Sequence, residues 1–230
     1  MRPRSVAPWA PRDGRPDVTT KAPGERTFER IAAIDPNMKN LGYLVGTDGT
    51  AIEITIPGRQ LSLGRRVQKC RRLLSSTTSE LGRTRRPARR AALDATARGQ
   101  RSALAAAETE LIDFQNVWLG LVVRKLYKKY DMIGLGAGMF SDDEGVPPTG
   151  TGKALIHAFR ASLSRQARRS SKAFGLWNEY ESTMKCSYCG HLHAKIAKGV
   201  DSWRCGRCKS SHLRDENAAI NGLVRLCHRL

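Results

Sequence analysis

The hydrophobic pattern changes period several times along the 230 residues. Residues 31–34 (IAAI) form a short apolar run that ends at Asp35-Pro36. LGYLV (41–45) follows, then a turn at GTDGT and the alternating AIEITI of 51–56. Runs of this length bounded by turn residues read as strands. Thr47-Asp48-Gly49 has the chemistry of a hairpin that needs a residue at positive φ, so this region is predicted to be a β-meander. Residues 60–82 look helical and polar. Pro87 sits where a new helix can start. Beyond it Leu104, Leu111, Phe114, Trp118, Leu121 and Leu126 recur at intervals of three, four, five and seven, which gives one apolar stripe. DMIGLG (131–136) reads as a short buried strand and AGMFSDDEGVPPTGTG (137–152) as a loop. KALIHAFRASLSRQARRSSK (153–172) is helical, with Leu155, Ala158, Phe159 and Leu163 spaced along one side. AFGLWNEY (173–180) is a further strand. RDENAAINGLVRLCHRL (214–230) closes as a helix with Ala218, Ala219, Leu223 and Leu226 on one face.

Strands come first, then helix, strand, helix, strand, helix, an order that suits a mixed sheet covered by helices. No internal repeat is visible, and the one biased segment is the Pro- and Arg-rich arm at 1–28. Charge narrows the class of partner. Forty Lys+Arg against 21 Asp+Glu give a net charge of +19, a field that favours a polyanion through phosphate neutralisation and counterion release. A membrane-surface protein and a ribosomal-type structural protein are the alternatives from charge alone. No apolar run approaches the roughly 20 residues of a membrane span. The first residues lack the continuous apolar core of a secretory signal, and Asp13, Asp17 and Glu25 disfavour a transit peptide.

Four of the six cysteines stand as Cys186-x-x-Cys189 and Cys205-x-x-Cys208, fifteen residues apart. Paired spacing of this kind points to a metal in a reducing compartment. Two thiolates from each knuckle complete a tetrahedron around one Zn²⁺, and four sulfurs leave no open position, so the zinc is structural. His191, His193 and His212 are close by but surplus to a filled shell, and read as solvent- or phosphate-facing groups. Cys70 and Cys227 read as ordinary, partly buried thiols.

Two aspartates carry the candidate chemistry. Asp215 falls at the start of the last helix, where a carboxylate is favoured by the dipole and can cap free amides. Asp35 ends the first strand, and taken alone it is a turn residue. Their order with the rest of the chain says more. AAIDPNMKNLGYLVGTDG, the helical stretch ending RKLYKKYDMIGLG, CSYCGHLH, WRCGRC and RDENAAINGL together resemble the RuvC-like nuclease domain of TnpB proteins, of their Fanzor relatives and of type V CRISPR effectors. The resemblance runs over about residues 29–225.

The resemblance implies an α/β, RNase H-like (RuvC-type) fold. Its parts would be 29–59, a basic helical insertion at 60–130, a second part at 131–182, a zinc ribbon at 183–212 and a closing helix at 213–230. It also implies phosphodiester cleavage of DNA by two Mg²⁺ held by three carboxylates, with a guide RNA directing the chain to single-stranded or unwound DNA. Asp35 and Asp215 carry over as the acids of the first and third motifs. Family members commonly have a glutamate straight after the strand corresponding to DMIGL, and here that place holds Gly136. Fanzor proteins and some prokaryotic relatives carry the glutamate seven residues ahead of the first cysteine instead. Glu179 stands seven residues before Cys186 and matches that pattern, with Glu181, Asp142, Asp143 and Glu144 as substitutes. The family's long recognition segment ahead of the first acid is missing from this chain, which is consistent with a stripped-down member, a fragment, or half of a split system whose partner protein supplies it. The expected place is cytoplasm or nucleoid, or the nucleus if the host is eukaryotic.

Arg85, Arg86, Arg89, Arg90, Arg165, Arg168 and Arg169 are the candidate nucleic-acid contacts; a solvated basic face, which also takes in Arg98 and Arg101, is the competing account. Gly152-Lys153 lacks the first glycine of a phosphate loop and has Ala154 where a hydroxyl belongs. Trp9, Trp118, Trp177 and Trp203 are candidates to stack on bases, Trp118 belonging rather to the core and Trp203 the better of the four. Two alternatives to the nuclease remain: a nuclease-dead nucleic-acid-binding repressor or subunit, favoured by Gly136, and a zinc-ribbon structural subunit of a ribonucleoprotein.

Overall fold

The structure, a computed structural model, describes residues 28–138, 147–194, 196 and 199–228; the arm with Trp9, and Asp142, Asp143 and Glu144, lie outside the described residues. Strands β1 (Ile31–Asn37), β2 (Leu41–Gly46) and β3 (Ala51–Ile54) make the antiparallel meander. A hairpin of two long helices follows, α1 (Gly58–Arg83) and α2 (Pro87–Lys129). Strand β4 (Met132–Gly136) then pairs parallel to β1, and β5 (Ala173–Trp177) parallel to β4, after helix α3 (Gly152–Arg169). A small antiparallel pair, β6 (Ser202–Arg204) and β7 (Ser211–Leu213), leads into α4 (Arg214–Cys227). The main sheet runs β3-β2-β1-β4-β5. It is the mixed sheet flanked by helices that the RNase H-like resemblance implies.

Alternation along β1 sorts the core into two layers, because successive side chains of a strand point to opposite faces. Ala32 and Ile34 pack with Leu44, Ile133, Leu135, Phe159 and Leu163 beneath α2 and α3. Ile31 and Ala33 pack with Val45, Met132, Trp177, Leu223 and Leu226 beneath α4. β1 also runs three residues past its apolar core, so Asp35 lies within the strand and continues the α4-facing row. Strand β5 is shorter than AFGLWNEY suggests and stops at Trp177. Trp177 is fully buried and is therefore no platform for a base.

The long helix α2 corrects the single-stripe reading. Leu121 is 57% exposed, while Leu119 and Val123 beside it are buried. The cause is a change of partner. Near Ala107 and Leu111, α2 packs against Leu63 and Val67 of α1; from Leu119 to Tyr127 it packs on the sheet. The apolar face rotates around the helix between the two, so no one stripe runs its length. Arg71–Glu108 and Arg66–Glu110 pairs, at 2.5 and 2.7 Å, tie the two helices together. None of the described helices is long and apolar enough to cross a membrane.

The two ends of the parallel strands differ in kind. At the N-terminal ends Asp131 pairs with Arg30 at 2.8 Å and Lys172 at 3.3 Å, and Lys172 also donates to the carbonyls of Tyr127 and Tyr130. This ties β1, β4, β5 and α2 at one edge and leaves the carboxyl ends of the strands open, where α/β sheets place their ligands.

The β2–β3 hairpin turns through Gly49 at φ 80°, as its sequence predicts, and its Asp48 is fastened to the end of α2. Burial pushes the Asp48 carboxyl up, but Lys129 at 2.7 Å, the Thr50 amide and hydroxyl and the Tyr130 hydroxyl outweigh it and hold it at about 2. A depressed folded value means that the stability is present above the unfolded value of about 3.9 and is lost as pH falls toward the folded one. Asp48→Asn should therefore lower the denaturation midpoint at pH 7, by about 1 kcal/mol or less for so exposed a pair. The gap from the parent should close between about pH 4 and pH 2 in urea titrations.

Candidate functional site

Three carboxylates line one cavity at the open edge. Asp35 faces α4 and is 7% exposed. Asp215 is the second residue of α4, and the acidic first turn, Asp215 and Glu216, suits the positive end of the helix dipole. Asp215 is not the cap: Leu213 holds that position without a side-chain bond. One Asp215 oxygen accepts from Asn37 Nδ2 at 2.7 Å and the other from Arg214 Nε at 3.2 Å. Asn37 is itself oriented, accepting from the Lys39 amide at 2.9 Å.

Glu179 comes from beyond the sheet. It lies two residues past the end of β5, and Glu181, which a longer strand would have put on the same face, sits in a turn at φ 61°. The Glu179 carboxylate fills the space that a side chain at position 136 would take: a Cβ on Gly136 would fall 2.0 Å from Glu179 Oε1. The Gly138 amide donates to the same oxygen at 3.0 Å, and a Cβ on Gly138 would come within 2.6 Å of Oε2. Ile34 pairs with Leu135 in the parallel register, so Gly136 is the neighbour of Asp35 across the ladder. The absent side chain at 136 is thus matched by a carboxylate arriving from position 179.

Asp35, Asn37, Glu179, Arg214 and Asp215 line one cavity of ≈ 320 Å³. Burial holds the Asp35 carboxyl well above the usual carboxylate range, reinforced by Glu179 and then Asp215, with Arg214 opposing. Burial also raises Glu179, against the Gly138 N–H, which favours its charged form. Acids crowded this way are relieved by a hard divalent cation with oxygen preference. Their ligand atoms do not all fall within 4.8 Å of one another, as those of the cysteines do.

The cysteine knuckles close on each other. Cys186 and Cys208 sulfurs are 3.7 Å apart, as are those of Cys189 and Cys205. A tetrahedron with Zn–S of about 2.3 Å has edges of about 3.8 Å, so the four thiols fit one zinc. The histidines correct the sequence reading. His212 Nε2 lies 3.1 Å from Cys186 Sγ, and His193 Nε2 lies 3.3 Å from Cys205 Sγ. Each imidazole crosses to the first cysteine of the opposite knuckle. The signal was present in the sequence, since both knuckles read C-x-x-C-x-x-x-H. Trp203 packs between these two rings, at centroid distances of 4.8 and 4.6 Å, and belongs to the ribbon's own packing. Cys70 is half-buried between α1 and α2, and Cys227 is exposed.

The candidate arginines divide by location. Arg85 and Arg86 are exposed in the α1–α2 connection and Arg90 on α2, while Arg89 is paired with Glu80 at 2.5 Å. Arg98 pairs with Asp94 at 3.7 Å. Arg165 and Arg169, with Arg124, border a cavity of ≈ 350 Å³ between α2 and α3, while Arg168 is exposed beside it. This groove lies on the face of the sheet away from α4. Lys153 sits in the first turn of α3, whose Thr151 cap accepts from the Ala154 amide at 3.1 Å, an ordinary helix start.

Comparison with known proteins finds a family match over part of the chain. Residues 157–222, which take in most of α3, β5, the ribbon and most of α4, match the family model described as Cas12f1-like, TNB domain. The fold is similar to that of a Cas12f1–sgRNA–target DNA complex, at TM-score 0.55 and 12% identity, covering 84% of this chain and 49% of that one. It is similar also to CasPhi-2 (Cas12j) bound to crRNA and phosphorothioate-DNA, at TM-score 0.52 and 11% identity, covering 87% and 45%. The chain spans about half the length of these structures. No curated protein matches it.

The crossed histidines generate a test of the ribbon. The protein should carry one zinc per chain by elemental analysis. His212→Ala should hasten zinc release to a competing chelator by roughly 10–100-fold, the usual cost of removing an outer-shell partner.

Proposed function

We propose that the chain is a member of the TnpB/Cas12-related family, whose Cas12f1-like TNB model residues 157–222 match, and that it is a Mg²⁺-dependent DNA endonuclease. The observation that supports this best is the Glu179 carboxylate set beside Asp35 in the space left by Gly136, in one cavity with Asp215. In this reading Asp35, Glu179 and Asp215 hold two Mg²⁺. When bound, the ions activate the attacking water and stabilise the leaving oxygen of a phosphodiester. The rest falls to the chain's own groups. Asn37 orients the Asp215 carboxylate, and the Gly138 amide orients Glu179. Arg214 offers its guanidinium to a non-bridging phosphate oxygen at the mouth of the same cavity. The four cysteines hold a structural zinc.

The substrate in this proposal is single-stranded or unwound DNA directed by a guide RNA, because both structural neighbours are complexes with RNA and DNA. The groove bordered by Arg124, Arg165 and Arg169 serves as a backbone-binding surface on the side opposite the acids. The nuclease-dead alternative drew on Gly136, and the carboxylate beside Asp35 favours the enzyme instead.

The purified protein, with any copurifying RNA, is to be incubated with labelled single-stranded DNA with and without Mg²⁺. Cleavage should require Mg²⁺ and vanish in Glu179→Gln. Gly136→Ala should reduce it by roughly 10–100-fold, as for a displaced rather than deleted ligand. Binding without metal-dependent cutting in the parent would overturn the proposal. For the groove, the expected result comes from binding in EDTA across a salt series. Replacing Arg124, Arg165 and Arg169 together by serine should lower the slope of log K against log salt by about 2 for single strands.

A further inference from the structure

The segment that carries Glu179 is built of local turns: the Tyr180 amide donates to Asn178 Oδ1 at 2.9 Å, the Ser182 amide to the Glu179 carbonyl at 3.0 Å, and the Met184 and Lys185 amides to the Glu181 carbonyl at 3.0 and 2.9 Å. The last ladder bond on this side is Ala137 N–H to the Trp177 carbonyl, at 2.9 Å. Beyond it Asn178 is exposed and Tyr180 is 71% exposed, so no apolar anchor fastens the residues flanking Glu179. A glutamate on such a loop would sample many positions, yet its carboxylate must reach the space beside Asp35.

Helix α4 fastens these turns to the rest of the fold. Asn217, Asn221 and Arg225 stand four residues apart on it and therefore line one face. Each gives side-chain donors to loop carbonyls. Asn217 Nδ2 donates to the Ser182 and Lys185 carbonyls at 3.0 and 2.9 Å, and Asn221 Nδ2 donates to the same two at 2.8 and 2.7 Å. Arg225 reaches the two carbonyls that bracket Glu179. Its Nη1 donates to the Asn178 carbonyl, and its Nη2 to the Tyr180 carbonyl at 2.7 Å. The start of the loop is also set by α4: Gly222 lets the Trp177 ring approach so closely that a Cβ there would fall 2.5 Å from it.

We propose that Arg225 is a positioning residue for Glu179: by bridging the Asn178 and Tyr180 carbonyls it fixes the backbone that aims the Glu179 carboxylate at the metal site. This rests on the reading of Glu179 as a metal ligand. The same helix then contributes one ligand through Asp215 and places a second through Arg225. A planar guanidinium spans two carbonyls in a fixed fork, which a single ammonium cannot, so lysine restores only part of the effect.

The test measures Mn²⁺ binding to the zinc-loaded full chain by calorimetry, alongside the Mg²⁺ dependence of cleavage. Arg225→Gln should weaken Mn²⁺ binding roughly tenfold, the scale for an outer-shell partner, and Arg225→Lys should fall between it and the parent. Zinc content should stay at one per chain, and hydrogen exchange of the Gly138 amide, which Glu179 accepts from, should accelerate. In a Glu179→Gln background Arg225→Gln should add less than about twofold, because the two act as one unit. Equal losses in both backgrounds would show that Arg225 acts elsewhere and would overturn the proposal. So would strong weakening by Glu179→Gln with none from Arg225→Gln, while leaving Glu179 as a ligand. If Glu179→Gln itself leaves Mn²⁺ binding unchanged, the reading and the proposal fall together. Should the glutamine variant not fold, the lysine variant and its Gly138 exchange rate decide between the same outcomes.

Discussion

Asp35 is almost fully buried, and two more carboxylates are aimed at the cavity it lines. Gathering like charges at a partly dry edge is unfavourable, and side chains left free would simply turn away from one another. The structure answers with restraint from every direction. Asp35 is locked by its place in a central strand, Asp215 by Asn37 and Arg214, and Glu179 by the Gly138 amide and the grip on its loop. Behind these, Asp131 with Arg30 and Lys172 ties the far ends of the same strands. Leu226 presses onto Gly134, where a Cβ would meet it at 2.1 Å, so helix and sheet are held at close range. Rigid support of this kind is what a site needs if its donors are to stay aimed without their ligand.

Helix α4 is the common member of nearly all these contacts. It covers one face of the sheet through Ala219, Leu223 and Leu226 and begins with an acidic turn at the site. It also holds the ribbon. Asn217 is 1% exposed, and besides its two donor bonds it accepts the Ser187 amide at 2.9 Å, next to the first cysteine. Buried amides satisfied this fully specify one arrangement rather than merely adding stability. The zinc knuckle and the Glu179 loop are therefore fastened to the same few residues of one helix.

Much of this was legible in the sequence where local pattern and local chemistry agree. The β-meander, the Pro87 helix start and the closing amphipathic helix each follow from short-range periodicity, and the paired cysteines from ligand spacing. Readings failed where a residue's surroundings are decided at long range. Leu121 fits an apolar stripe in sequence, but α2 exchanges one packing partner for another before reaching it. Trp177 looks available until Gly222 brings a helix against its ring. His193 and His212 appear surplus when ligands are counted within a knuckle, and reach a cysteine sulfur only when the knuckles cross. Asn37 and Arg225 carry no motif in a single sequence, because their hydrogen bonds reach 178 and 47 residues along the chain.

The overlap between positions 136 and 179 makes their side chains exclusive of one another. A Cβ at 136 would fall 2.0 Å from Glu179 Oε1 and 2.7 Å from Pro36 Cδ, so any side chain larger than hydrogen there pushes the flexible end of Glu179 aside. The carboxylate keeps its seat beside Asp35 only while its neighbour on β4 stays bare.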